Sequence, residues 1–172
     1  IGNDDVALIF GDNIFNGHRF SQILRESTSP NGATIFALHS DKPQDFGVVE
    51  FDGNGKAISL EEKPTQPKSN YIVPGIYFYN SDVVEVARGV QPSARGELEI
   101  TSVNEAYLKQ DRLNVTVLDR DTDWFDTGNP DQTRDAGDFV RADQHRTGRL
   151  LGSPEAEAFL AGFITEDQLR VH

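Results

Sequence analysis

The sequence predicts an α/β fold, and three observations carry that expectation. Val6–Phe10 is an unbroken apolar run bounded by Asp5 and Gly11; Phe20, Ile23 and Leu24 recur at helical spacing; and Ala33–Leu38 is a second apolar run beyond the Asn31-Gly32 break. A strand–helix–strand order favours a sheet covered by helices. Continuous apolar strands suit parallel pairing with both faces buried, which is the expectation for Val6–Phe10.

The later elements follow from turn and cap chemistry. Gly47–Phe51 and Lys56–Glu61 read as short strands joined by Asp52-Gly53-Asn54-Gly55, a strong hairpin signal. Tyr71–Tyr79 reads as one strand with a bulge or edge feature at Pro74-Gly75. Ser81 or Asp82 can cap a short helix through Ala87. Glu97–Lys109 reads as a longer helix with Leu98, Val103, Ala106 and Tyr107 inward, and Leu113–Leu118 as a strand. Asn129-Pro130 is an N-cap followed by proline at the first helical position, opening a helix toward His145. Thr165 and Gln168 fit a capping box for a terminal helix. The chain divides into a main α/β part, 1–128, and a C-terminal helical region, 129–172.

Composition narrows the function classes. The net charge is −12 and the pI about 4.6, which argues against general affinity for nucleic acid or anionic membrane. There is no Cys, so disulfides, thiolate ligands and a Cys nucleophile are excluded. No apolar run approaches the ~20 residues of a membrane-spanning helix, and no signal peptide opens the sequence. A cytoplasmic protein is expected. The chain has no Met and starts at Ile1, almost inside a strand, which suggests a segment of a longer protein.

Carboxylates at strand ends are the first candidates for chemistry. In open α/β sheets, ligands sit at the carboxyl ends of strands. Asp12 follows the first apolar run, beside Gly11 and Asn13, and could hold Mg²⁺, which takes oxygen ligands; Gly-Asp-Asn is equally a turn sequence. Asp126 in Trp124-Phe125-Asp126-Thr127-Gly128 lies between a strand and a helix, where two carboxylates could share one cation; an acidic surface loop reads the same way. Asp119, Asp121 and Asp123 match the first ligands of a calcium loop, but Trp124 and Pro130 stand where the turn glycine and the bidentate glutamate belong. In Ser59–Pro64, Ile58 and Leu60 facing the core would turn Ser59 and Glu61 the other way. Glu62 could accept from sugar hydroxyls and Lys63 could meet a phosphate, or both could be solvated charges. Arg95, beside Gly96 and before a helix, could clamp a phosphate, although a lone loop arginine usually binds nothing specific. The histidines, His18, His39, His145 and His172, show no ligand spacing. No HExxH, GxSxG or complete phosphate-binding glycine loop is present.

In combination these pieces are more specific. GDNIF, FGVVEFDGNGKAISLEEKPTQPKSNYIVPGIYFYNSDVV, PSARGELEIT and WFDTG occur in that order. From about Asp5 to Leu169 the chain resembles the later part of the glucose-1-phosphate thymidylyltransferase family of sugar nucleotidyltransferases. The resemblance implies a Rossmann-like mixed sheet flanked by helices, truncated at its N-terminus, with a small C-terminal helical region. It also implies Mg²⁺, a homotetramer, and transfer of a thymidylyl group from dTTP to glucose 1-phosphate on the way to dTDP-rhamnose. Asp12 and Asp126 match the family's catalytic, Mg²⁺-binding aspartates. Gly47, Glu62 and Val73 match its sugar contacts, Lys63 and Arg95 its phosphate contacts, and Trp124 an aromatic lining the same pocket.

The departures are informative. The family's GGxGTRL loop, with its arginine and following lysine, is missing. The resemblance therefore implies a chain that is inactive by itself and silent on base selection; a non-catalytic sugar-phosphate-binding paralogue is the alternative. Asn16 replaces a usual aromatic, and Ser153-Pro154-Glu155-Ala156-Glu157 replaces a Cys-Pro-Glu-Glu-Ile-like stretch near a regulatory nucleotide site. Phe139, Phe159, Leu160, Phe163 and Leu169 are candidate subunit contacts, with intrachain packing expected for Phe139.

Overall fold

A computed structural model describes residues 2–27 and 31–170; Ile1 and His172 lie outside the described residues. The chain forms two compact units, Ile1–Phe125 and Asp126–His172. In chain order the elements of the first unit are β1 (Val6–Ile9), β2 (Asn13–Asn16), α1 (Phe20–Glu26), β3 (Ala33–His39), a 3₁₀ turn (Pro43–Asp45), β4 (Gly47–Phe51), β5 (Ala57–Glu62), β6 (Tyr71–Ile72), β7 (Ile76–Tyr79), α2 (Val83–Gly89), α3 (Ile100–Lys109) and β8 (Leu113–Val117), followed by β9 (Asp123–Asp126), whose last residue begins the second unit.

Seven strands make a mixed sheet in the order β1-β7-β3-β6-β4-β5, with β8 on the opposite edge of β3; β2 and β9 pair separately. The β3–β8 pairing is parallel, while β1–β7, β3–β7, β3–β6, β4–β6 and β4–β5 are antiparallel. Strand alternation sends successive side chains to opposite faces, so the sheet builds two cores. Ala33, Ile35, Ala37, Tyr77 and Tyr79 join Val103 and Tyr107 of α3, whereas Phe36, Ile76 and Phe78 join Ile23 of α1 and Leu118. Two tyrosine hydroxyls of the first core, those of Tyr79 and Tyr107, are matched to amides. Tyr79 Oη donates to Asn104 Oδ1 at 2.7 Å and Tyr107 Oη to Asn80 Oδ1 at 2.9 Å, as burial of polar groups requires.

Several sequence expectations are corrected. Val6–Phe10 is not a parallel strand buried on both faces: β1 runs antiparallel to β7, Val6 and Leu8 pack on the first core, and Ile9 and Phe10 stay 56% and 40% exposed. The single strand expected over Tyr71–Tyr79 is two, β6 and β7, interrupted at Val73–Gly75. Pro74 has no N–H to continue a ladder, and a Cβ on Gly75 would lie 2.5 Å from the Phe10 ring. The helix expected from Glu97 starts at Ile100, and Leu98 is 69% exposed rather than inward. Ile58 and Leu60 do not share a face. Phe51 pairs with Ala57 and Glu50 with Ser59, so Ile58 is the extra residue of a bulge and is 51% exposed. The bulge resets the alternation, so that Leu60 and Glu62 fall on the same side as Ala57.

The hairpin stands as expected. Asp52 Oδ1 accepts from the backbone N–H groups of Asn54 and Lys56, both at 2.9 Å, and these bonds hold its carboxyl below the usual range. Asp82 sits at the N-cap position of α2 without capping it, because its carboxylate accepts from Arg112 Nη2 at 2.6 Å and Asn80 Nδ2 at 3.0 Å.

The second unit is helical: α4 (Pro130–Thr147), α5 (Pro154–Leu160) and α6 (Glu166–Leu169). Asn129 Oδ1 caps α4 through Asp131 N and Gln132 N at 3.1 and 3.0 Å, and the helix closes on Gly148 in the left-handed region. The Thr165–Gln168 capping box forms as the sequence predicts. Phe139 and Leu169 are half-buried, whereas Phe159, Leu160 and Phe163 are exposed. Among the described residues no helix is long and apolar enough to cross a membrane.

Candidate active site

Within the first unit, the break between β6 and β7 and the open ends of β4 and β5 gather most of the residues singled out in the sequence. Gly47 opens β4 directly opposite Glu62, and Val73 N donates to Gly47 O at 2.8 Å. A Cβ on Gly47 would lie 3.2 Å from both Glu62 Oε2 and Thr101 Oγ1 and 3.9 Å from Val73 Cβ, so the glycine keeps this corner open. Thr101, buried in the first turn of α3, donates to Glu62 Oε2 at 2.5 Å. The bulge at Ile58 makes this contact possible, since it turns Glu62 toward α3. A carboxylate held on one oxygen beside backbone groups is suited to neutral polyol recognition.

Two cations border this corner. Lys63 follows β5 with φ 44, and its N–H donates to Phe46 O at 3.0 Å. A non-glycine residue in the left-handed region costs ~1–2 kcal/mol, offset here by that hydrogen bond. Arg95 lies on the loop closed by Gly96 at φ 79. Its guanidinium faces Glu97 at 3.1 Å, Glu99 at 3.2 Å and Glu62 at 3.9 Å. Glu99 is the most buried of these, with its side chain 11% exposed, and also accepts from Ser93 Oγ at 3.0 Å. Arg95 is therefore not a lone loop arginine but one positioned by three carboxylates.

An aromatic link joins this corner to the aspartate after β1. Trp124 of β9 stacks edge-on against Phe46, centroids 5.1 Å apart. Its Nε1 donates to Asn13 Oδ1 at 2.8 Å, and Gly75 N donates to the same oxygen at 3.0 Å. Asn13 Nδ2 in turn donates to Asp12 Oδ1 at 2.8 Å. The structure thus connects Asp12, Trp124, Gly47, Val73, Glu62, Lys63 and Arg95 through direct contacts or single intermediaries. Asp126 opens the second unit, where its Oδ1 accepts from Gly128 N at 3.2 Å in a turn of its own.

Sequence reasoning missed Thr101, Phe46 and Glu99. Thr101 stands inside the SARGELEIT stretch, but a threonine in a helical first turn carries no signal of its own. Phe46 and Glu99 act through long-range contacts that spacing does not encode. Of the three aspartates in the calcium-like pattern, Asp119 pairs with Arg19 at 3.4 Å. Among the described residues no group of three or more His, Cys, Asp or Glu is arranged as a metal cage.

Residues 1–143, which hold the mixed sheet and its glycine-lined corner, match the family described as nucleotidyl transferase. The chain belongs to that family. It is 53% identical over 169 residues to the glucose-1-phosphate thymidylyltransferase of Mycolicibacterium smegmatis, an alignment that covers 98% of this chain and 59% of that protein. The counterpart from Neisseria meningitidis is 43% identical over 170 residues, covering 98% of this chain and 59% of that protein. The chain therefore spans about 59% of the length of these curated relatives. A crystal structure of a Bacillus anthracis protein described as a glucose-1-phosphate thymidylyltransferase, with sucrose bound, superposes with a TM-score of 0.69 at 37% identity, covering 82% of this chain and 56% of that one. An apo UDP-glucose pyrophosphorylase, at TM-score 0.70 and 17% identity over 83% of this chain and 56% of that one, shares the fold.

Proposed function

We propose that this chain supplies the sugar-1-phosphate site of an enzyme that transfers a thymidylyl group from dTTP to α-D-glucose 1-phosphate, giving dTDP-glucose and pyrophosphate. The observation that carries the reading is the corner itself. Glu62, fixed by Thr101, faces the backbone of Gly47 and Val73, with Lys63 and Arg95 at its border. Its chemistry suits a hexose ring with one phosphate. The identity to the named thymidylyltransferases supports the nucleotide and the sugar.

In the reaction a phosphate oxygen of glucose 1-phosphate attacks the α-phosphorus of dTTP. A new P–O bond forms as the bond to the β-phosphate oxygen breaks, and pyrophosphate departs. Such transfers depend on positioning and charge neutralisation rather than a protein nucleophile, which matches a corner without Ser, Cys or His at its centre. Glu62 and the Gly47 and Val73 backbone orient the ring. Lys63 and Arg95 offset phosphate charge, and Glu97 and Glu99 keep the Arg95 guanidinium in place before substrate arrives. In-line alignment of bound reactants supplies about 7–11 kcal/mol in favourable cases.

Asp12 and Asp126 are the residues that would hold Mg²⁺. Each is a carboxylate, and Mg²⁺ is commonly held by one or two carboxylates together with water and substrate phosphate rather than by a full protein cage. When bound, the ion neutralises phosphate charge. The same reading takes the parent enzyme as a cytoplasmic homotetramer in dTDP-rhamnose synthesis. The test is Asp126→Asn in a full-length enzyme carrying this chain, with pyrophosphate release as the readout. Loss of dTDP-glucose formation is expected; undiminished turnover would overturn the assignment.

A further inference from the structure

Asn13 occupies an unusual place. Its side chain joins the neighbouring Asp12 to two segments distant in the sequence, the β6–β7 break at Gly75 and Trp124 in β9. Two N–H donors, Gly75 N and Trp124 Nε1, converge on Oδ1 at 3.0 and 2.8 Å. An amide nitrogen cannot accept from either, and the indole can only donate. The pair therefore fixes which way the amide faces, and its N–H₂ end is directed at Asp12 Oδ1, 2.8 Å away. Gly75 reinforces the arrangement, since a Cβ there would lie 2.9 Å from Asn13 Oδ1 and 2.5 Å from the Phe10 ring.

We propose that Asn13 is a positioning residue that sets the indole of Trp124 and the carboxylate of Asp12 together, so that one amide orients both the aromatic wall and the acid at the strand end. The inference rests on the proposed function for the role of Asp12, while the Trp124 contact stands independently of it. Aspartate at position 13 is the discriminating change. It keeps an acceptor for Gly75 N–H and Trp124 Nε1–H, has no N–H to give Asp12, and places like charge beside it. Leucine at the same position removes the acceptor as well.

Trp124 is the single tryptophan of the chain, so its emission reports the first contact without turnover. In this chain, Asn13→Asp is expected to leave the emission maximum within about 2 nm of the parent, and Asn13→Leu to move it by about 5 nm or more, because an indole N–H loses its partner. In a full-length enzyme carrying this chain, Asn13→Asp is expected to lower kcat at least about tenfold while KM for glucose 1-phosphate changes less than about threefold, the pattern of an interaction felt in the reaction rather than in binding. An unmoved emission maximum in Asn13→Leu overturns the hold on Trp124. Should Asn13→Leu not fold, Asn13→Ala takes its place, and an unmoved maximum in that variant overturns the hold. Parental kcat in Asn13→Asp overturns the hold on Asp12. A parent enzyme without nucleotidyl transfer removes the proposed function itself, a result visible before any variant is compared.

Discussion

Thr101→Val tests whether the sugar corner is built on a charge-assisted hydrogen bond. The Thr101 hydroxyl donates to Glu62 Oε2 at 2.5 Å, and a Cβ on Gly47 would sit 3.2 Å from both of those oxygens. Valine preserves the shape of the side chain and deletes only the donor. A hydrogen bond to a charged group contributes ~1.5–3 kcal/mol. The Glu62 side chain keeps 21% of its exposure, so water can replace part of what is lost; the expected destabilisation is about 1–2 kcal/mol. Urea unfolding should show a lower midpoint at unchanged slope. A cycle with Glu62→Ala should give a coupling of about 1 kcal/mol, because the two residues touch. Glucose 1-phosphate should bind about tenfold more weakly, since 1.4 kcal/mol is one decade. Full additivity of the two substitutions, or a Thr101→Val midpoint equal to the parent's, would refute the account of Glu62 as a carboxylate held by α3.

Gly32→Ala should be among the most damaging single methyl additions, because the new Cβ would lie 2.1 Å from the backbone oxygen of Arg112; a loss of about 3 kcal/mol in urea is expected, and a loss below about 1 kcal/mol would mean the β3–β8 junction yields easily. Acid should weaken the fold through the surface carboxylates. Arg112 holds Asp82 low, Lys56 holds Asp111 low, and the Lys56 and Asn54 backbone N–H groups hold Asp52 low, each from an ordinary 3.8. Because the folded values lie below the unfolded ones, these contacts contribute fully above about pH 4 and disappear as pH falls through the folded values; urea midpoints that stay flat from pH 5 to about pH 2.5 would contradict this. Alkali should act through the first core. Burial pushes the phenols of Tyr77, Tyr79 and Tyr107 up from 10.0, so above about pH 10 the unfolded chain releases protons that the folded one keeps, and stability falls with rising pH. Absorbance at 295 nm from these three residues should grow with unfolding, not ahead of it.

The local chemistry of this chain was readable wherever a few neighbouring residues decide the outcome. Asn129-Pro130, Thr165 with Gln168, and Asp52-Gly53-Asn54-Gly55 form the caps and hairpin their spacing predicts, because each satisfies backbone groups within four residues. What spacing could not show was partner choice. Val6–Phe10 has the composition of a two-faced parallel strand and is instead an antiparallel neighbour of β7 with one face outward. Asp82 has the residue type of a cap but is drawn to Arg112, 30 positions away in the sequence.

The corner was legible in its residue types and not in its supports, and the difference has one physical origin. Glu62, Lys63 and Arg95 attract notice as charges at element ends, whereas Thr101, Phe46 and Glu99 matter through contacts made after folding. The Ile58 bulge shows how strongly the second set depends on geometry. Were Ile58 paired as a regular ladder residue, strict alternation would place Leu60 and Glu62 on the face opposite to Ala57, away from α3, and Thr101 would have no carboxylate to meet. One unpaired residue in a strand thus decides whether Glu62 faces the sugar corner or water. Deleting Ile58 leaves Ala57, Ser59, Leu60, Glu61 and Glu62 in plain alternation against their present partners, so Glu62 keeps its face and glucose 1-phosphate binding is expected to survive, with calorimetric titration as the check. Loss of binding in a folded deletion variant would show that Glu62 owes its place to something other than the face it shares with Ala57.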